Sequence, residues 1–412
     1  MIATALLYKE TEFNWMPVIP EHWETKRAKA IFQERSIKGF PDDPLLAASQ
    51  KQGVVLKEML EQRSMEAVQN FESFKLVEKD DFVISLRSFE GGIELAYYRG
   101  IISPVYSIFY FRENKHNRDF FKYLYKSRMF IQELNVYKKG IRDGQSISYS
   151  EFANIYLPVP PKEEQDEIVQ YLKAQEEKIN LFIQKKQRFI ELLKEQRLSI
   201  VNNYVTSENK NWIWLRLKDI VTVNDEALTE KTEDDFLIRY IDIGNVNSYG
   251  DIAEIQEYEF KDAPSRARRI VRKGDVIIST VRTYLKAITL IESDEDNLIA
   301  STGFAVLRPK ENVLSEYLNF ALRAEYFISS VIQNSYGVSY PAINSSTLSS
   351  LKIVIPKSTS EQQEIINKIK SETATIDTAI AKAEREIELI REYKEAMIAE
   401  AVMGKRKINF AH

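Results

Sequence analysis

The residues from Gln165 to Val205 recur, without a gap, 197 positions later as Gln362 to Val402. Ile168, Leu172, Ile179, Ile183, Ile190, Leu193 and Ile200 fall on Ile365, Ile369, Ile376, Ile380, Ile387, Ile390 and Met397. The charges keep the same register, with Glu167, Lys173, Arg188, Glu191 and Glu195 on Glu364, Lys370, Arg385, Glu388 and Glu392. Shared helical periodicity alone would not reproduce those charges. The repeat is far longer than the roughly 20 to 50 residues of a solenoid unit, so it signals duplicated domains. A chain of 412 residues is also too long for one core and suits two to four domains.

Both copies read as long helices with a coiled-coil seam. One set of heptad positions holds Ile369, Ile376, Ala383, Ile390 and Met397, and the other holds Thr373, Ile380, Ile387, Lys394 and Ala401. The first copy places Leu172, Ile179, Lys186, Leu193 and Ile200, then Glu176, Ile183, Ile190, Arg197 and Tyr204, at the same positions. Apolar seams with a few polar breaks are what register-specific coiled coils carry. At 1.5 Å per residue, about 41 residues span roughly 60 Å, more than a globular domain needs. The first helix runs directly into the second half, so antiparallel pairing of the two would hold the globular parts at opposite ends. The alternative is that each helix folds back on its own domain.

The domains are framed alike. Each opens on a tryptophan, Trp23 to Arg27 and Trp212 to Arg216, with an isoleucine eight residues after it at Ile31 and Ile220. Short strand-like runs follow, and Asp81 to Ser85 matches Asp275 to Ser279 as a β-branched stretch suited to a buried strand. Helical spacing returns around Arg118 to Tyr137 and Leu314 to Gln333. A Gly-containing polar loop then leads to strands closing at Pro160 and Pro356, where proline forces a change of direction. Acidic residues Glu163, Glu164, Asp166 and Glu167 favour a helix start, and Ser360 with Gln363 offers a capping box for the second. Gly404 marks the helix end. The expected division is a first domain at 1–163, a helix at 164–206, a second domain at 207–360, a helix at 361–403 and a tail at 404–412.

Composition removes several chemistries. The chain has no cysteine, which excludes disulfides, thiolate metal sites and cysteine nucleophiles. Its three histidines, His22, His116 and His412, are too far apart for a helical metal pair, and no metal site or catalytic triad is expected. There is no Walker A loop and no Gly-x-Gly-x-x-Gly motif. With no such motif or triad, a chain that catalyses nothing alone is expected; no apolar run nears the roughly 18 residues of a membrane span and no signal peptide is evident, so a cytoplasmic protein is expected. The net charge of −4 hides its distribution. Arg112 to Arg142 holds nine basic against three acidic residues, and Lys261 to Lys286 eight against two.

Two globular units each followed by a long helix strongly resemble the specificity subunit of type I restriction-modification systems. The likeness covers essentially the whole chain. It is carried by the Trp-x-x-x-Arg openings, Leu45 to Gly53, Gly100 to Tyr106, and the Pro-to-Ile junctions at Pro160 to Ile168 and Pro356 to Ile365. The resemblance implies an α+β fold: two α/β target-recognition domains, each followed by a long helix, the helices pairing as an antiparallel coiled coil with pseudo-two-fold symmetry. It implies that each domain reads half of a split double-stranded DNA site. It further implies that the helices are spacer regions docking two methyltransferase subunits, joined by two motor-nuclease (restriction) subunits. S-adenosylmethionine would then belong to the methyltransferase, which methylates adenine N6, and ATP and Mg to the motor-nuclease, with no cofactor in this chain. The halves differ over most of 32–110 and 221–310, as two readers of different half-sites would.

A DNA reader needs phosphate contacts for position and side chains that reach base edges. In the first half the candidates are Arg87, Lys138, Lys139, Arg142, Gln145, Ser148 and Tyr149. In the second they are Arg282, Tyr284, Lys286, Ser335, Tyr336, Ser339 and Tyr340. Gln145 suits adenine, and Arg87 or Arg282 suits guanine. The rival readings are a non-DNA coiled-coil adaptor holding protein partners and a single-chain nuclease or methyltransferase. Steep salt dependence of binding separates a DNA reader from the adaptor, and inactivity of the isolated chain separates it from the enzyme.

Overall fold

The computed structural model describes residues 7–60, 71–84, 92–137, 147–206, 212–253 and 255–406. They form two compact units that cut across the helices. One holds Met1–Lys185 with Glu386–His412, and the other holds Lys186–Arg385.

Each unit is built on the same antiparallel sheet. In the first its strand order is Phe32–Arg35, Ser107–Phe111, Phe82–Ile84, Ile93–Leu95. In the second it is Val221–Val223, Phe304–Pro309, Val276–Ser279, Ile288–Leu290. The β-branched runs seen in the sequence are therefore the inner strands Phe82–Ile84 and Val276–Ser279, and both are buried along their length. In the first unit Phe32 sits among Phe82, Phe109, Phe121 and Phe152, an aromatic core of edge and tilted contacts. The second unit adds a second sheet, Gln256–Glu259, Leu237–Ile241, Leu298–Ser301, Ala267–Ile270, whose middle pair is parallel.

The helical stretches each divide in two. Arg118–Lys126 and Arg128–Val136 part at Ser127, whose hydroxyl accepts from the Phe130 amide at 3.4 Å and caps the second piece. Ser315–Leu322 and Glu325–Gln333 part at Arg323 and Ala324.

The repeated junction has a physical cause. The closing strand Tyr156–Val159 pairs with Glu24–Arg27, and Lys352–Pro356 with Trp212–Arg216. The tryptophan opening each domain donates its indole N–H to the first turn of the long helix, Trp23 to Glu164 at 2.9 Å and Trp212 to Glu361 at 2.8 Å. The next residue is a buried glutamine. Gln165 donates to the Pro160 carbonyl at 2.8 Å and accepts from the Asn117 amide at 2.8 Å. Gln362 donates to the Pro356 carbonyl at 3.3 Å and accepts from the Leu314 amide at 2.9 Å. An amide has a donor and an acceptor to offer both backbone groups at once, which a carboxylate lacks.

The long helices are Lys162–Val205 and Thr359–Val402. In the first unit Leu172 and Ile179 share a core with Met397, Ala401 and Val402. In the second, Ile365, Ile366 and Ile369 share one with Val201 and Val205. Inside each unit the start of one helix therefore packs on the end of the other, so the pairing is antiparallel and neither helix simply folds back on its own domain. Leu172, Ile179, Ile369, Ile376, Ile380, Ile387 and Met397 are buried on the seam, while Ile183, Ile190, Leu193, Ile200 and Ile390 are partly covered. The polar breaks are matched: Glu176 pairs with Lys394 at 3.0 Å and Arg197 with Asp377 at 2.7 Å.

The second helix begins two residues earlier than the Ser360 capping box requires. Ser358 is the residue whose hydroxyl accepts from the Glu361 amide at 3.2 Å, which leaves Ser360 inside the first turn. At the far end Gly404 adopts φ +66°, its amide meets the Ala401 carbonyl at 3.1 Å and Lys405 meets Glu400 at 2.9 Å, the paired bonds of a Schellman stop.

Candidate nucleic-acid interface

In the second unit, two stretches distant in sequence meet at the end of the Val276–Ser279 strand. Thr280 is fixed there, its amide and its hydroxyl both donating to the Gly303 carbonyl, at 2.8 and 2.9 Å. The chain then makes one tight turn, Thr283–Leu285, bracketed by Arg282 at φ 51° and Lys286 at φ 53°. Left-handed backbone at a non-glycine residue costs on the order of 1–3 kcal/mol and persists only where neighbours enforce it.

The neighbour is the polar loop from Ser335 to Ile343. Tyr336 and Ala342 exchange both backbone hydrogen bonds at 2.9 Å and close a hairpin. Ala342 also bridges Val281, and the Ile343 amide reaches the Thr280 carbonyl at 2.8 Å. Ser335 ties the two stretches together through its hydroxyl, 2.9 Å from that of Thr283. Gly337, at φ +114°, permits the hairpin tip, since a side chain there would be strained and would crowd the Tyr340 carbonyl.

The outcome is a supported projection with chemistry on its surface. The Arg282 guanidinium lies 4.9 Å from the centre of the Tyr340 ring, a cation–π arrangement. Tyr284, Tyr336 and Tyr340 are exposed, as are Lys286 and Ser339 on the same two stretches. Neither Arg282 nor Lys286 has an ion pair among the described residues. Val338, at the tip, is fully exposed, a residue that a search for polar and basic groups passes over. Aromatic rings, a hydrocarbon tip and unpaired cations on a braced hairpin can stack on bases, touch a thymine methyl and hold phosphates. Of the seven second-half candidates, Arg282, Tyr284, Lys286, Tyr336, Ser339 and Tyr340 share this surface, and Ser335 serves as its tie.

The first half is placed differently. Arg87, Lys138, Lys139, Arg142 and Gln145 lie outside the described residues. Ser148 caps the short helix Tyr149–Phe152, its amide donating to Glu151 at 2.9 Å. Tyr149 lies against Phe109 and Phe152, and its hydroxyl donates to the Phe32 carbonyl at 2.8 Å. Burial pushes that phenol up from its usual pKa. Both residues thus have work within the fold.

The basic stretches are also less free than their counts imply. Arg118 pairs with Asp80 and Lys126 with Glu94, and Arg112 donates to the carbonyls of Lys29 and Phe32. In the second unit Arg272 pairs with Glu226, Lys273 with Asp294 and Lys261 with Glu259, while Arg268 lies over Phe260. Several of these partners are distant in sequence, so a local charge count misses them.

Comparison with known proteins places this architecture. The type I restriction modification DNA specificity domain matches residues 20–191 and again 209–389. The chain belongs to that family and carries two such domains. It is 33% identical over 108 residues to the HindI specificity subunit of Haemophilus influenzae, covering 25% of this chain and 23% of that protein. It is 23% identical over 280 residues to the MjaVIII specificity subunit of Methanocaldococcus jannaschii, covering 62% and 63%. The matches thus span less than two thirds of either relative. A solved chain from work on complex assembly and conformational transition of the type I R-M system overlaps it at a TM-score of 0.60 and 15% identity, over 94% of this chain and 99% of that one, a likeness of fold. No helix among the described residues is long and apolar enough to cross a membrane.

Proposed function

We propose that this chain is the non-catalytic DNA-reading subunit of a type I restriction-modification complex, recognising a split, asymmetric double-stranded site with one half read by each unit. The duplicated specificity domain carries the reading, and the braced Arg282–Tyr340 hairpin supports it for the second half-site. Phosphates would meet Lys286 and Arg282, and bases would meet Tyr284, Tyr336, Ser339 and Tyr340. In the first unit the corresponding work would fall to Arg87, Lys138, Lys139, Arg142 and Gln145. The paired helices offer the docking surface for two methyltransferase subunits and, with them, two restriction subunits. S-adenosylmethionine, ATP and Mg are then the partners' cofactors, and the chain would act in the cytoplasm.

Genome-wide mapping of adenine methylation with and without the chain tests this. The expected result is a split motif with two unlike halves that disappears when the chain is removed. An unchanged methylation pattern, or methylation and cleavage by the purified chain alone, would refute it. The purified complex should also lose DNA affinity steeply with salt, since phosphate contacts release counterions.

A further inference from the structure

The second unit contains a cavity of about 800 Å3 lined by residues that include Thr289, Asn319, Arg323 and Thr373. Its basic side chains are paired with one exception. Lys194 meets Asp251 at 2.7 Å, Arg197 meets Asp377 at 2.7 Å and Lys370 meets Glu316 at 2.5 Å. Arg323 makes no ion pair among the described residues, and its Nε is sealed from solvent without a hydrogen-bond partner. Asp251 is near enough to be felt electrostatically, but its carboxylate is held by Lys194 and Asn247. Burial pulls the Arg323 guanidinium down to about 10, so it stays cationic at neutral pH. A buried charge without a partner is strongly unfavourable unless something compensates it.

The first unit shows what the partner would be. Glu94, opposite Val83 in the strand register, is buried and pairs with Lys126. The equivalent strand position in the second unit, opposite Ile277, is Thr289, and the residue 197 positions after Lys126 is Arg323. The carboxylate has been replaced by a threonine whose hydroxyl donates to the Gly250 carbonyl at 2.7 Å. A Cβ placed on Gly250 would come within 2.9 Å of the Arg323 guanidinium, so Thr289, Gly250 and Arg323 adjoin. The second unit keeps the cation, lacks the acid and has a cavity in place of the ion pair.

A second group points to the chemistry of the occupant. Asn319 lies four residues before Arg323 on the same helical face, and its Oδ1 is buried without a hydrogen-bond donor. The hole therefore offers a cationic donor and a neutral acceptor together. A carboxylate would satisfy only the first. A phosphate that retains a proton satisfies both, with its oxygens toward Arg323 and its P–OH toward Asn319. Asp251, Glu292, Glu316, Asp377 and Glu384 also line the cavity, which disfavours a polyanion such as a nucleic-acid strand. We propose that the second unit carries a binding site for a small protonated phosphate, inorganic or a phosphomonoester, held by Arg323 and Asn319 in the place that Glu94 fills in the first unit. This site is independent of the DNA-reading surface.

The test is thermal unfolding of the full chain titrated with inorganic phosphate against chloride at constant ionic strength. Wild type should show a saturable rise in Tm, because a ligand that binds only the folded state stabilises it by mass action. Thr289→Glu rebuilds the first unit's ion pair and Asn319→Asp repels the anion, so both should weaken the phosphate response by about tenfold or more. Sulfate, which has no proton near neutral pH, should bind more weakly than phosphate. Glucose 6-phosphate in place of phosphate reads whether a monoester enters: a response as large as that of phosphate assigns the monoester, and none assigns the free ion. Failure of wild type to saturate, an equal response in Thr289→Glu, or sulfate binding as well as phosphate overturns the proposal. The salt-dependent DNA affinity of Thr289→Glu should match wild type, so loss of the phosphate site and loss of DNA reading are separate observations.

Discussion

In the first unit Tyr123 and Lys394 both meet Glu176 on the helix seam. The residues 197 positions away in the second unit are Phe320, Arg197 and Thr373, and there Arg197 turns instead to Asp377. The glutamines at the head of each helix behave in the opposite way, with Gln165 and Gln362 making the same pair of bonds to the same kinds of backbone group. The contrast separates two kinds of constraint. Side chains that satisfy the backbone are dictated by the path of the chain and recur with it. Side chains that satisfy one another can be exchanged as a set, so a duplicated frame can carry different electrostatics in each copy.

Substitutions can break or sharpen that contrast. The largest loss is expected for Trp23→Ala, which empties a fully buried site and should cost about 4 kcal/mol. Trp212 is only partly buried, so Trp212→Ala should cost about half as much by the same reasoning. Urea unfolding of the full chain measures both, and equal losses would mean that the openings are more alike than their burial indicates. Next come Gln165→Ala and Gln362→Ala, each leaving a buried backbone donor and acceptor unmet, with losses of about 2–3 kcal/mol. A difference above about 1 kcal/mol between them would break the equivalence of the junctions.

Lys126→Met should follow, destabilising by about 2 kcal/mol because it strands the buried Glu94 carboxylate. Arg323→Met removes a cation without a partner and, in phosphate-free buffer, should be neutral or stabilising. Matching losses in this pair would mean that Arg323 already has an internal counter-charge. The smallest effect on stability, within about 0.5 kcal/mol, is expected for Tyr340→Ala on the exposed hairpin. The same change should cost about tenfold in affinity for the cognate site, read by fluorescence anisotropy with the assembled complex.

The frame was legible because it is written twice. The helices, their apolar seam, the inner strands and the tryptophan and proline junctions all followed from residues in matching register. The meaning of Gln165 and Gln362 did not, since their partners at Asn117 and Leu314 lie far upstream in the chain. Ser360 was a reasonable cap from spacing, but Ser358 is where the backbone turns. The basic stretches promised more free charge than exists, because acids such as Asp80 and Glu226 come from distant segments. Tyr149 resembled a loop aromatic and packs on Phe109, whereas Tyr336 and Tyr340 resembled it equally and stand in solvent. Neither Val338 nor Arg323 has a local signature, as one matters by being left exposed and the other by lacking a partner.

The composition of the units also sets an order of events during synthesis. Lys186–Arg385 is one continuous stretch, so every residue of the second unit has left the ribosome before the first unit has its last element. The first unit waits for Met397, Ala401, Val402 and Met403, which cover Leu172 and Ile179, and for Gly404, whose carbonyl accepts from Tyr8 at 3.1 Å and whose backbone lies against Pro20 and Trp23. Domains that fold as units during translation ordinarily finish from the N-terminus onward. Here the domain begun first is completed last, and a chain released after about residue 385 would leave the apolar face of the first unit open while holding every residue of the second.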